Sequence, residues 1–139
     1  MGQSLHGRVS LPGDKSISHR AVLLASISEG KCRIRNLATG RDLQSTVEAV
    51  KQLGVEVTEP APEDLDISGI GMNNFVQPET PLDCGNAGTS LRLLLGLLAG
   101  SNISATLDGD RSLRRRPVNR VAMPLRQMGA SIKLTDRGT

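Results

Sequence analysis

Three stretches of this 139-residue chain place cations where helices should begin. The first is Pro12-Gly13-Asp14-Lys15-Ser16-Ile17-Ser18-His19-Arg20. It is not a P-loop, because Asp14 stands where that motif needs a glycine directly before the lysine. A helix start already offers unpaired backbone N–H groups and a partial positive charge. Lys15 and Arg20 add to that charge, and Ser16 and Arg20, four apart, share one face. Such an arrangement costs stability unless an anion offsets it; the plain alternative is a solvated helix start whose long side chains run to water. The second stretch is Gly85-Asn86-Ala87-Gly88-Thr89-Ser90-Leu91-Arg92. Here Asn86 is a good N-cap, Gly88 lets a ligand approach the backbone, Thr89 adds a hydroxyl, and Arg92 follows in the first turn. The third is Leu113-Arg114-Arg115-Arg116-Pro117, and arginine is the side chain suited to a two-pronged grip on carboxylate or phosphate. Alone, that run reads as a solvated basic loop. Three basic helix starts in one chain point instead to a small, multiply charged anion.

Other reactive residue types carry less. His19 is a general base by type, but beside Arg20 a structural role is the simpler reading. Asp14 and Asp42 read as helix caps, and Cys84 as a small apolar packer at a strand end. No acid–base pair, nucleophile triad or metal cluster stands out. An enzyme built on this chain would need chemistry supplied from elsewhere.

The elements that must position these residues follow from periodicity. The pattern predicts a strand at Leu5–Leu11, a helix over Lys15–Ser28, a strand at Lys31–Leu37 and a helix over Arg41–Leu53. Strands at Val55–Thr58 and Leu65–Ser68 come next, joined by a loop at Glu59–Asp64. A helix opening at Gly85–Thr89 and running through Leu98 is apolar on nearly every face, which predicts a central, buried position. Ile103–Asp108 reads as a strand, Pro117–Met128 as a helix with proline first, and Ala130–Leu134 as a strand. Arg41…Gln52-Leu53-Gly54-Val55 lies 75 residues before Arg116…Gln127-Met128-Gly129-Ala130, and about 72 residues separate Arg20 from Arg92. Helix, strand, helix, strand is thus written twice, as in an internal repeat. The second copy ends at Thr139, before the partner strand that closes the first, so the chain is expected to be part of a longer protein.

Composition narrows the classes. The length is that of one ordinary domain. Phe75 is the single aromatic residue, with no Trp or Tyr, which argues against stacking on nucleic-acid bases. The net charge of +3 arises from arginines in residues 71–139, implying an anionic partner. Cys32 and Cys84 stand far apart without CxxC spacing, so neither a disulfide framework nor a zinc site is expected, and a reduced, cytoplasmic compartment fits. The start lacks the apolar core of a signal peptide, and Leu93–Ala99 is too short to cross a bilayer.

The three motifs, in this order, closely resemble the N-terminal motifs of the 5-enolpyruvylshikimate-3-phosphate synthase family. The resemblance covers most of this chain and roughly the first third of a typical member. It implies an α/β (α+β) fold of repeated βαβαββ units within a two-domain protein: residues 1–14 as N-terminal strand and hinge, 15–84 as the first unit, and 85–139 as a truncated second unit. It implies transfer of the carboxyvinyl group of phosphoenolpyruvate to the 5-hydroxyl of shikimate 3-phosphate, with no metal or organic cofactor. By motif, Lys15 would contact both substrates, Ser16 and Arg20 would hold shikimate 3-phosphate, Asn86 and Gly88 would line the phosphoenolpyruvate site, and Arg116 would grip that substrate; Thr89 and Arg92 are further candidates from the same helix start. The family's proton-transfer groups and second domain would lie downstream of Thr139, so negligible turnover is expected of this chain alone. Glyphosate would share the phosphoenolpyruvate site, and Gly88→Ala would reduce its effect. The competing readings are UDP-N-acetylglucosamine enolpyruvyl transferase, a nucleic-acid-binding module using Arg111–Arg120, and one half of a split enzyme; neither nucleic acid nor membrane is an expected partner.

Overall fold

A computed structural model describes residues 6–135. Its first half is a three-stranded antiparallel sheet covered by two helices. Helix α1 (Lys15–Ile27) begins where Asp14, in extended conformation, accepts the Ile17 N–H at 2.8 Å, as the cap reading expects. It ends at Ser28, whose N–H and hydroxyl return to the carbonyls of Leu24 and Ala25. Strand β1 (Glu29–Ile34) follows. It stops earlier than periodicity suggests because Asn36 takes a left-handed conformation (φ 55°), which asparagine tolerates. Its N–H and that of Leu37 then bond to Asp64 and Glu63. Helix α2 (Arg41–Gln52) buries Leu43, Val47 and Val50 on one face, the i, i+4, i+7 stripe visible in the sequence.

Strands β2 (Glu56–Ala61) and β3 (Asp64–Ile70) form a hairpin tighter than the expected loop, with only Pro62 and Glu63 between them. Pro60 lies within β2, a position tolerated because β2 is an edge strand and the register shifts between Thr58 and Ala61. β3 is the middle strand of the order β1-β3-β2, antiparallel to both neighbours. Its Leu65, Ile67 and Gly69 face inward with period two. Gly69 meets the end of α1 so closely that a Cβ there would overlap the Ala25 carbonyl oxygen and stand 2.5 Å from that of Ser28.

The second half repeats the plan in shortened form. Strand β4 (Leu82–Asp83) pairs in parallel with β5 (Leu107–Asp108), and between them runs α3 (Gly88–Ala99). Helix α4 (Asn119–Gln127) closes the series. The 75-residue repeat is closest at the helix exits. Gly54 (φ 90°) and Gly129 (φ 102°) occupy equivalent left-handed positions. The Val55 N–H reaches the Val50 carbonyl at 3.1 Å just as Ala130 reaches Leu125 at 3.0 Å, the bonding of a glycine-terminated helix.

Several expectations are corrected. Residues 6–11 form no strand, and Val9 and Leu11 are exposed; no described strand pairs with them, and Leu5 lies outside the described residues. The segment Ala130–Leu134 is likewise unpaired, tethered instead by the Arg126 guanidinium to the Ile132 carbonyl. The strand expected at Ile103–Asp108 is reduced to its last two residues, because β4 offers only a two-residue partner. Pro117 precedes α4 rather than opening it, and Pro124 sits inside that helix, removing one N–H from its ladder. Helix α3 is not wholly buried: Gly88, Ser90 and Leu94 are, while Leu91, Leu93, Leu97 and Leu98 are only partly covered.

Among the described residues one core joins both halves, running from Val22 and Ile67 through Val50 and Leu53 to Leu82, Leu94 and Leu113. It is aliphatic apart from Phe75 and Cys84. Cys84 is the packer the sequence suggests: it is fully buried, and burial, with Asp83 and Asp108 nearby, pushes its thiol up to about 12. At pH 8 a disulfide thiol reagent should therefore modify half-buried Cys32 while Cys84 reacts only as fast as the chain opens. Two equally rapid thiols in a stopped-flow titration would contradict this.

Candidate anion-binding site

The first turns of α1, α2 and α3 come together. Lys15, the first residue of α1, pairs with Asp42, the second of α2. The Asp42 carbonyl accepts from the Ser90 hydroxyl in the first turn of α3 at 3.3 Å. Beneath this surface lies a buried polar chain. His19 Nδ1 is 2.8 Å from Thr46 Oγ1, which is 2.7 Å from Ser90 Oγ. Ser90 Oγ also stands 3.4 Å from His19 Nδ1, so the three side chains form a closed polar cluster whose donors and acceptors depend on the imidazole tautomer. Ser90 has one hydroxyl proton, and the Asp42 carbonyl can only accept it. His19 Nε2 is buried without a hydrogen-bond partner among the described residues.

Burial, with Lys15 and Arg20 adding to it and Asp42 opposing, holds the His19 pKa below its ordinary 6.5. Protonating it would place a cation among cations, which sets it against proton shuttling in this state. The unfolded chain takes up that proton more readily, so the stabilisation is complete above pH 6.5 and declines as the pH falls below it. The unfolding midpoint should drop between pH 7 and pH 5.5, and His19→Asn should flatten that slope; equal slopes would contradict the assignment. The lowered carboxyls of Asp66, Asp108 and Asp110 act in the same direction but in the separate, more acidic carboxylate range.

At the start of α3 two guanidinium groups close over Gly88. A Cβ on Gly88 would stand 2.8 Å from Arg116 Nη1 and 3.2 Å from Arg92 Nη1. The expected N-cap is corrected: the cap position is Ala87, and no side chain caps α3. Asn86 is engaged elsewhere, accepting from Arg116 and donating to Asp110 at 2.7 Å. Asp110 also accepts the Leu113 N–H, the main reason its carboxyl titrates low. Asn86 thus orients Arg116 while leaving the first N–H groups of α3 without a side-chain acceptor. Arg20 donates to the Ser16 carbonyl at 3.0 Å. Among the described residues, Arg20, Arg92 and Arg116 have no carboxylate ion-pair partner.

The arginine run divides. Arg114 makes a two-pronged pair with Asp108, at 2.7 and 2.6 Å, which joins the Leu113–Arg115 turn to β5. Arg111 and Arg115 line a groove of about 620 Å³ with Leu91 and Leu107. That groove includes none of Lys15, Ser16, Arg20, Asn86, Gly88 or Arg116. A continuous basic face for nucleic acid is therefore interrupted at Arg114. The sequence reading missed Thr46, Ser90 and Asp110 as parts of this region. Thr46 had left a signal, a polar residue in the buried stripe of α2 beside Val47.

These features define a class: a repeated α/β protein in which cations gather at helix starts and two arginines close over a glycine. The profile of EPSP synthase (3-phosphoshikimate 1-carboxyvinyltransferase) matches residues 1–139, and the chain belongs to that family. It is 47% identical over 138 residues to the 3-phosphoshikimate 1-carboxyvinyltransferase of Methylococcus capsulatus, covering 99% of this chain and 32% of that protein. It is 48% identical over 134 residues to that of Chloroflexus aurantiacus, covering 96% and 31%. The solved EPSP synthase from Acinetobacter baumannii superposes with a TM-score of 0.90 at 40% identity, covering 96% of this chain and 30% of that one. The chain spans about a third of the length of the curated relatives it matches. Membership of this family disfavours the UDP-N-acetylglucosamine reading. Among the described residues, no helix is long and apolar enough to cross a membrane, and no cluster of side chains suits a metal ion.

Proposed function

We propose that this chain is the segment of a 3-phosphoshikimate 1-carboxyvinyltransferase that forms one side of the cleft for phosphoenolpyruvate and shikimate 3-phosphate. The observation that carries this reading is the convergence of Arg92 and Arg116 over Gly88 with no direct ion pair to either guanidinium among the described residues, Asp110 reaching Arg116 only through Asn86. A phosphate or carboxylate there would pair directly with both guanidinium groups and accept from the open end of α3. In this reading Asn86, Gly88 and Arg116 receive phosphoenolpyruvate, with Thr89 and Arg92 beside it. Ser16 and Arg20 hold shikimate 3-phosphate, and Lys15, released from Asp42, reaches both. The 5-oxygen adds to the central carbon of the enol as its hydroxyl proton is removed, and the methylene carbon gains a proton to become a methyl group. Loss of that proton with expulsion of phosphate then leaves the new enol ether. The proton-transferring groups belong to the rest of the longer protein, as does the second face of the cleft. Residues 1–14, 15–84 and 85–139 are, on this view, an entry segment, a first unit and a shortened second one, and the setting is cytoplasmic.

Phosphate release tests the proposal. The full-length protein should release phosphate from phosphoenolpyruvate only when shikimate 3-phosphate is present, and residues 1–139 alone should release none. Restoration of turnover on mixing this segment with a separately made remainder would identify it as one half of a working cleft. Release driven by a UDP-sugar instead would overturn the substrate assignment.

A further inference from the structure

We propose that His19, Thr46 and Ser90 form a positioning relay that sets the spacing between the Lys15 cation and the Gly88–Arg92–Arg116 cleft. This rests on the anion-binding reading above, and assigns work to three residues that reading leaves idle. Each of the three comes from a different helix, α1, α2 and α3 respectively, and all are fully shielded from solvent. The polar chain runs from His19 Nδ1 through both hydroxyls to the Asp42 carbonyl. Its last link touches both cation sets. Asp42 carries the carboxylate that pairs with Lys15, while Ser90 lies two residues beyond Gly88 in the same helical turn. Moving Ser90 therefore moves the floor of the arginine cleft relative to Lys15.

A chain of this kind is costly to break and easy to misalign. Removing one member leaves its neighbours buried and unsatisfied, whereas an apolar contact of the same volume would tolerate sliding by a fraction of an ångström. Directional bonds fix distance and angle together, which a site gripping two anions at once requires. The proposed function places none of the three against a substrate, and all are buried, so their effect would be indirect.

The test uses the full-length protein, with inorganic phosphate as a binding probe and turnover as a second readout. Thr46→Val keeps the volume and removes the hydroxyl. It should weaken phosphate binding and raise KM for both phosphoenolpyruvate and shikimate 3-phosphate by about tenfold, roughly the effect of one lost buried hydrogen bond, with a smaller change in kcat. Thr46→Ser restores the hydroxyl, and His19→Asn keeps an amide that can donate or accept near the position of Nδ1. Both should return these values to within about twofold of the unaltered protein. Lowered thermal stability with unchanged phosphate affinity and KM would make the chain merely structural and overturn the relay. So would a rise in KM for one substrate alone, or failure of both conservative variants to rescue. If the unaltered protein binds phosphate but catalyses no transfer, the proposed activity fails while the relay is still judged by phosphate affinity. If it does not bind phosphate, both fail.

Discussion

Gly69→Val should destabilise the chain by about 3 kcal/mol, a loss at the upper end for a single substitution. The reason is geometric. Gly69 lies on the inward face of the middle strand, β3, where α1 crosses the sheet, and even a methyl group would overlap the Ala25 carbonyl oxygen. The obstacle is backbone on both sides. Neither α1 nor β3 can yield without disturbing the Ser28 bonds that end the helix and the ladder that pairs Gly69 with Gly30. Gly69→Ala should show most of the same loss. Urea unfolding would detect it as a fall in midpoint with little change in slope. The contrast with Gly96, where an added Cβ meets nothing within 4 Å, supplies the control. Gly96→Ala should be neutral or slightly stabilising in the middle of α3. A Gly69→Ala protein as stable as Gly96→Ala would contradict the close approach.

The second large effect is expected in binding. Arg116→Leu in the full-length protein should raise KM for phosphoenolpyruvate by about a hundredfold, the cost of losing a charge-assisted contact to an anion. Its effect on the unfolding midpoint should be small, because Arg116 makes no carboxylate pair within the described residues and its partner Asn86 keeps Asp110. Arg116→Lys should recover only part of the loss, since a lysine cannot reproduce the two-pronged grip. Gly88→Ala presses on the same guanidinium from below, at 2.8 Å, and should act in the same direction more gently because the arginine tip can swing aside. Unchanged KM in Arg116→Leu would remove this residue from the site.

The first repeat was legible in the sequence because local signals agree there: the Asp14 cap, the α2 stripe and the Gly54 exit all act within one or two turns. The cations at the helix starts were legible for the same reason, being tied to motifs of a few residues. What was hidden depends on partners distant in the chain. Asn86 reads as an N-cap by type, yet Asp110, 24 residues on, claims its amide. Arg114 and Arg116 are near neighbours in one run, and only folding sends one to Asp108 and the other over Gly88. The strands expected at Leu5–Leu11 and Ala130–Leu134 have the right alternation, but a strand exists only where another edge meets it. The α3 helix looked central because of its composition, whereas burial depends on what packs against each face.

The order β1-β3-β2 also constrains the sequence of events during synthesis. The middle strand is the last of the three to leave the ribosome, so β1 and β2 must wait with unpaired edges until residue 70 emerges. β2 can then close locally through its two-residue turn, while β1 must join across residues 35–63, which include α2. Until that docking, the exposed edges of β1 and of the β2–β3 hairpin are the surfaces most open to wrong pairing with another nascent chain. The Arg33–Asp66 bridge joins β1 and β3 at the native register, while a one-residue slip would turn Leu65 and Ile67 away from the core.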